Sequence, residues 1–102
     1  MIARLFYLLP LLVGASKVKA ASDFWSVSPS NNNWSNGGNW ILGLVPNGTG
    51  EVATFVTSSI HTPRLSADID LDSIVFAAGG DAFTIDTNGN ALRFFGAGVA
   101  DS

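Results

Sequence analysis

Cysteine is absent from this chain, and histidine occurs once, at His61. No disulfide can staple the fold, although small exported domains often need one because a short chain buries only about 60% of its unfolded surface. No thiol nucleophile exists, and no serine near His61 sits in a nucleophile-elbow context. His61, beside Thr62-Pro63, reads as a surface turn residue. Cations are equally scarce. Beyond residue 20 only Arg64 and Arg93 are permanently positive, against Asp23, Glu51, Asp68, Asp70, Asp72, Asp81, Asp86 and Asp101, a net charge of −6. Nucleic acid and anionic lipid both demand clustered Lys and Arg, so neither is expected as a partner. Helical periodicity is missing from every window after the first twenty residues, which leaves β-structure.

The first twenty residues read as a signal peptide. Met1-Ile-Ala-Arg4 is a short basic start, and Leu5 to Ala15 is apolar apart from Pro10 and Gly14. Val18 and Ala20 then occupy the small-residue positions of a signal-peptidase site, which predicts a cut after Ala20. The apolar run falls short of the ~20 residues that span a bilayer. Export is therefore expected rather than anchoring. Asp101-Ser102 follows an apolar, glycine-rich segment without a polar cap, so further chain is expected beyond it.

What the sequence does have is Trp34-Ser-Asn-Gly-Gly-Asn-Trp40, followed by Pro46-Asn-Gly48 and Val52-Ala-Thr-Phe55. Asn, Gly and Ser supply turn conformations and side-chain-to-backbone hydrogen bonds. Two indoles in that bed can pin an irregular loop onto the β-structure that follows. Residues 21–50 are read as a Trp/Asn/Gly-rich cap and residues 51–102 as the first, incomplete β-rungs.

The strand expectations run along the chain in order. Ser22 to Val27 is a short strand with Phe24 or Trp25 pointing inward, Trp40 to Val45 a short strand or irregular crossing, and Val52 to Val56 a strand. Ile69 and Leu71 alternate with Asp68, Asp70 and Asp72, the period-2 mark of a half-buried strand. Apolar pairs then recur at nine-residue intervals: Ile74/Phe76, Phe83/Ile85 and Leu92/Phe94. Such a repeat suits an antiparallel meander or sandwich, or a parallel β-helix whose rungs stack. Asn88-Gly89 is a hairpin dipeptide and pulls toward the meander. Periodicity alone leaves both open.

The ordered series Trp34…Asn39-Trp40, Pro46-x-Gly48, Ala53-x-Phe55, Leu71-Asp-Ser-Ile-Val-Phe76, Phe83-Thr-Ile85 and Leu92…Phe94-x-Gly-Ala-Gly98 resembles the N-terminal region of bacterial autotransporter passengers of the autotransporter-associated β-strand repeat type. It covers nearly all the chain after the leader. The resemblance implies a Gram-negative envelope protein whose passenger is a right-handed parallel β-helix and whose C-terminal β-barrel carries it to the surface. No barrel-like series of lipid-facing strands lies within the 102 residues.

Each candidate site has a bland competitor. Trp25, Trp34 and Trp40 are the candidate binding residues, since sugars stack on exposed indoles; the competing reading packs them onto the first rung as a seal. Asp68, Asp70 and Asp72 line one strand face, but three carboxylates on one edge do not give calcium its six to eight oxygens. Asp86-Thr-Asn88-Gly-Asn90 opens like a calcium loop, then fails at Ala91 and Ala97. Asn33-Trp-Ser35 and Asn47-Gly-Thr49 match the glycosylation sequon, which the bacterial resemblance makes coincidental.

The expectation is an all-β, exported, non-enzymatic segment without cofactor or metal. It is the start of a right-handed parallel β-helix, with Trp25, Trp34 and Trp40 sealing one end and Ile69, Leu71, Ile74, Phe76, Phe83, Ile85, Leu92 and Phe94 filling the interior. Further rungs, a C-terminal β-barrel, and a carbohydrate or host surface are the expected partners. The rival functions are a small carbohydrate-binding β-sandwich and a fragment of a β-helical polysaccharide-degrading enzyme.

Overall fold

A computed structural model describes residues 22–101. The expected signal peptide and its cleavage site lie outside the described residues. This part of the chain is all-β: β1 (Asp23–Phe24), a 3-10 turn (Gly37–Asn39), β2 (Val52–Phe55), β3 (Ile69–Phe76) and β4 (Leu92–Asp101). The strands form one sheet in the order β1-β2-β3-β4, and every neighbouring pair is parallel. A parallel partner needs a crossover of a dozen or more residues, and the segments 25–51, 56–68 and 77–91 supply them without an α-helix.

Register fixes the layer spacing. Ala53 pairs with Asp23 on one side and with Ile74 on the other, and Ile74 pairs onward with Val99. A second line of parallel bridges joins Asn33 to Arg64 and Arg64 to Asp86. Successive segments of the chain therefore pair in parallel along two separate lines. The fold is not the antiparallel meander or sandwich.

The nine-residue spacing takes a different meaning here. Leu92 pairs with Ile69, twenty-three residues back, and Phe94 with Leu71. Phe83 and Ile85 lie on the second line, where Thr84 N–H donates to His61 O and Asp86 N–H to Pro63 O. The interval of nine thus carries the chain from one face of a layer to the next face, and layers repeat at more than twice that distance. Period counting found the faces and mistook them for layers.

Asn88-Gly89 is a tight turn, with φ of 52° and 77° and an Asn90 N–H to Thr87 O bond of 2.8 Å. It makes no hairpin. Asn88 Nδ2 donates to Leu65 O, which docks the turn on the preceding layer instead of letting its flanks pair. β1 is shorter than expected: Trp25 still donates its N–H to Thr54 O at 2.9 Å, but it bridges antiparallel to Trp40 instead of extending the parallel ladder. Residues 41–43 are a turn rather than a strand, closed by Gly43 N–H on Trp40 O.

The core comprises Trp25, Trp34, Trp40, Ala53, Phe55, Leu65, Ile69, Leu71 and Ile74. Phe76, Phe83, Ile85 and Leu92 pack against it half-buried. Phe94 does not fill the interior: it is 36% exposed, because β4 has no further strand over it among the described residues. Opposite Asp72, β4 bulges through Phe95-Gly96-Ala97, and the Asp72 carboxylate takes the space a side chain at position 96 would need.

Candidate functional site

The three candidate tryptophans converge on one ring, Phe55. Its centroid lies 6.1 Å from Trp25, 5.8 Å from Trp34 and 5.9 Å from Trp40. Trp40 meets Trp25 and Trp34 edge-to-face at 5.1 and 5.0 Å. Each indole N–H ends on a backbone carbonyl: Trp25 on Ile60, Trp34 on Pro46, Trp40 on Trp34. None of the rings is more than 3% exposed, so none offers a face on which a sugar could stack. Their polar handles are consumed internally, as buried indoles require.

Asn39 organises the loop around them. It is wholly buried. Its Oδ1 accepts from Ser30 and Asn31 N–H, and its Nδ2 donates to Asn31 Oδ1 and Asn33 O. All four hydrogen-bonding positions of the amide are filled. Asp23, also buried, accepts from the N–H groups of Phe24, Leu42 and Leu44. That clamp holds the Ile41-Leu42-Gly43-Leu44 loop against β1 while its three aliphatic side chains stay exposed.

The aspartate row is largely spoken for. Arg93, one layer on, sets Nε 2.7 Å from Asp70 Oδ1 and Nη2 3.8 Å from Asp68. Its own pKa is raised, first by the hydrogen bond to Asp70 and then by that carboxylate's charge. Among the described residues no group of three or more His, Cys, Asp or Glu is placed to hold a metal ion.

His61 is tied down as well. Its Nε2 lies 3.0 Å from Asp81 Oδ2, which also accepts from Ser58 N–H. The Ser58 bond, then the His61 bond, hold the Asp81 carboxyl below the usual carboxylate range. Serine, histidine and aspartate meet here without a nucleophile, because Ser58 Oγ donates to Ser26 O rather than to the ring. The arrangement fastens a loop.

On the second face, Asn32, Asn33, Arg64, Leu65, Ser66 and Asn88 line a cavity of about 200 Å³. Arg64 bonds Asn88 Oδ1 at 2.6 Å and faces Asp86 at 3.5 Å. At the trailing end, Phe76, Asp81, Ala82, Phe83 and Asp101 line a second cavity of about 270 Å³. Neither was singled out in the sequence, since each joins residues from different layers. The signal was there in part: the 23-residue interval from Asp70 to Arg93 equals the spacing of their layers.

No family model matches this chain, and no curated protein or solved structure matches it. Fold and site together define it as an all-β protein built on a four-stranded parallel sheet, with an indole cluster packed at its leading end.

Proposed function

We propose that this chain is the leading, structural part of an exported surface protein: the start of a right-handed parallel β-helical passenger of the autotransporter type. The observation that carries the reading is the double line of parallel pairing, β1 to β4 on one side and Asn33–Arg64–Asp86 on the other. Parallel pairing of the chain with its own successor along two lines supports a coiled path. A right-handed path is the favoured hand for parallel crossovers.

In this reading the role is architectural and not enzymatic. The indole cluster closes the leading end, since the end of a stack otherwise exposes a hydrophobic layer. Further rungs cover β4, a C-terminal β-barrel places the passenger outside the cell, and adhesion or display belongs to the assembled protein. The 102-residue chain expressed in a Gram-negative host tests this directly. Fractionation should find it outside the cytoplasm, beginning at Ala21 by N-terminal sequencing. A cytoplasmic chain still beginning at Met1 overturns the reading.

A further inference from the structure

We infer that Asn36 is a site of spontaneous covalent modification, in which its side-chain amide is lost as ammonia after attack by the backbone nitrogen of Gly37. Three asparagines in this chain precede a glycine: Asn36, Asn47 and Asn88. Glycine has no Cβ to shield its backbone nitrogen, so the dipeptide itself permits the reaction at all three. The nitrogen gives its proton to water and bonds to the asparagine Cγ. The bond from Cγ to Nδ2 breaks, and ammonia leaves with a proton taken from water. The product is a five-membered imide. Water then opens either carbonyl of the ring, giving aspartate or its β-linked isomer, and no oxidant or reductant takes part.

The fold then separates the three. Attack needs a free N–H and a carboxamide that can swing onto it, so bonds holding either group must break first. Asn47 is held on both counts. Gly48 N–H donates to Asp70 O at 2.7 Å, and Asn47 Oδ1 accepts from Asp70 N–H at 3.0 Å, which ties the dipeptide to β3. At Asn88 the carboxamide is held. Its Oδ1 accepts from Arg64 Nη2 at 2.6 Å, and Nδ2, the leaving group, donates to Leu65 O. Asn36 is held least. Neither Gly37 N–H nor Asn36 Nδ2 has a hydrogen bond among the described residues. Its one side-chain bond, accepted by Oδ1 from Gly38 N–H at 3.0 Å, keeps the carboxamide beside the backbone that attacks it. The backbone bonds that a turning Gly37 peptide strains, Asn39 N–H to Asn36 O and Trp40 N–H to Gly37 O, lie within the same loop. Asn36 therefore reacts through a local opening, whereas Asn47 and Asn88 must first part from segments distant in sequence. The β-linked product lengthens the main chain between Trp34 and Asn39, the stretch that packs the indoles.

Prolonged incubation of the purified full chain tests the site. Peptide mapping by mass spectrometry follows the amide-to-acid mass gain at each of the three asparagines, in the folded protein and in concentrated urea. In the folded protein Asn36 should convert at least about tenfold faster than Asn47 and Asn88, and in urea the three should agree within about threefold. Arg64→Ala removes the guanidinium that holds Asn88 Oδ1 and keeps the Arg64 backbone bonds, so Asn88 should convert faster and Asn36 at its former rate. Tryptophan emission should move to the red as the β-linked product at Asn36 accumulates. Asn47 or Asn88 converting as fast as Asn36 in the folded chain, the folded ranking persisting in urea, or Asn88 indifferent to Arg64→Ala would overturn the proposal. The readout does not depend on export, so it stands or falls apart from the passenger reading.

Discussion

Gly80 lies so close to the backbone carbonyl of Val56 that a Cβ at position 80 would overlap the oxygen. That oxygen also accepts the Asp81 N–H at 2.6 Å, so it cannot swing aside without breaking a bond between layers. The segment after β2 and the turn after β3 are thus locked together at this point. Gly80→Ala should cost about 1–3 kcal/mol, the usual range for overpacking. The neighbouring Gly79 has open space but a φ of +76°, so Gly79→Ala should cost only the backbone strain, about 1–2 kcal/mol. Urea denaturation of both variants checks this; a Gly80→Ala variant as stable as wild type would mean that the layers are not locked at this point.

Asn39→Asp is a change of one atom with a large expected effect. The two donor hydrogens that reach Asn31 Oδ1 and Asn33 O vanish, and a carboxylate oxygen then faces those two acceptors in a site sealed from water. The loss should be about 3 kcal/mol or more, above the ordinary range for an unsatisfied neutral group. Thermal unfolding followed by tryptophan emission is the measurement. The same experiment should show wild-type emission shifted to the blue, with little quenching by iodide, because all three indoles are buried.

Asp23→Asn should loosen the exposed loop before it unfolds the core. The amide keeps one acceptor oxygen where the carboxylate offered two to Leu42 and Leu44 N–H. Hydrogen exchange at those two amides should speed up well beyond that of the β2 and β3 amides. The global cost should be about 1–3 kcal/mol.

Asp81 gives the protein a pH dependence of known sign. Its folded pKa lies below the ordinary value, so its contribution to stability is present above the unfolded carboxylate range and is lost as pH falls through the folded value. A carboxyl-detected NMR titration should place its midpoint below that of a free aspartate. His61→Ala should raise that midpoint only in part, because the Ser58 N–H bond is the larger cause. A complete return to the free value would reassign the cause to His61.

The strands were the most legible part. Val52–Phe55 and Ile69–Phe76 carry β-branched and apolar residues at the expected spacing, and Ile69, Leu71 and Ile74 are buried as expected. Phe55 as the common contact of the three indoles was not legible, nor were Leu65, Asn39 and Asp23 as buried residues. A period of two reports which side of a strand is apolar. It carries nothing about which distant segment lies across from it. Polar residues sink into this core because backbone N–H and C=O groups from other parts of the chain meet them there, and those meetings have no local signature.

The sequence alone determined an all-β chain with scarce cations, no disulfide, and aromatics bedded in turn-forming residues, because composition and short-range periodicity act within a few residues. The direction of strand pairing, the spacing of layers and the burial of each indole were decided only in three dimensions. Asn88-Gly89 shows the reason: the same dipeptide can close a hairpin or turn the chain between parallel strands, and here its Asn88 side chain docks on the distant carbonyl of Leu65.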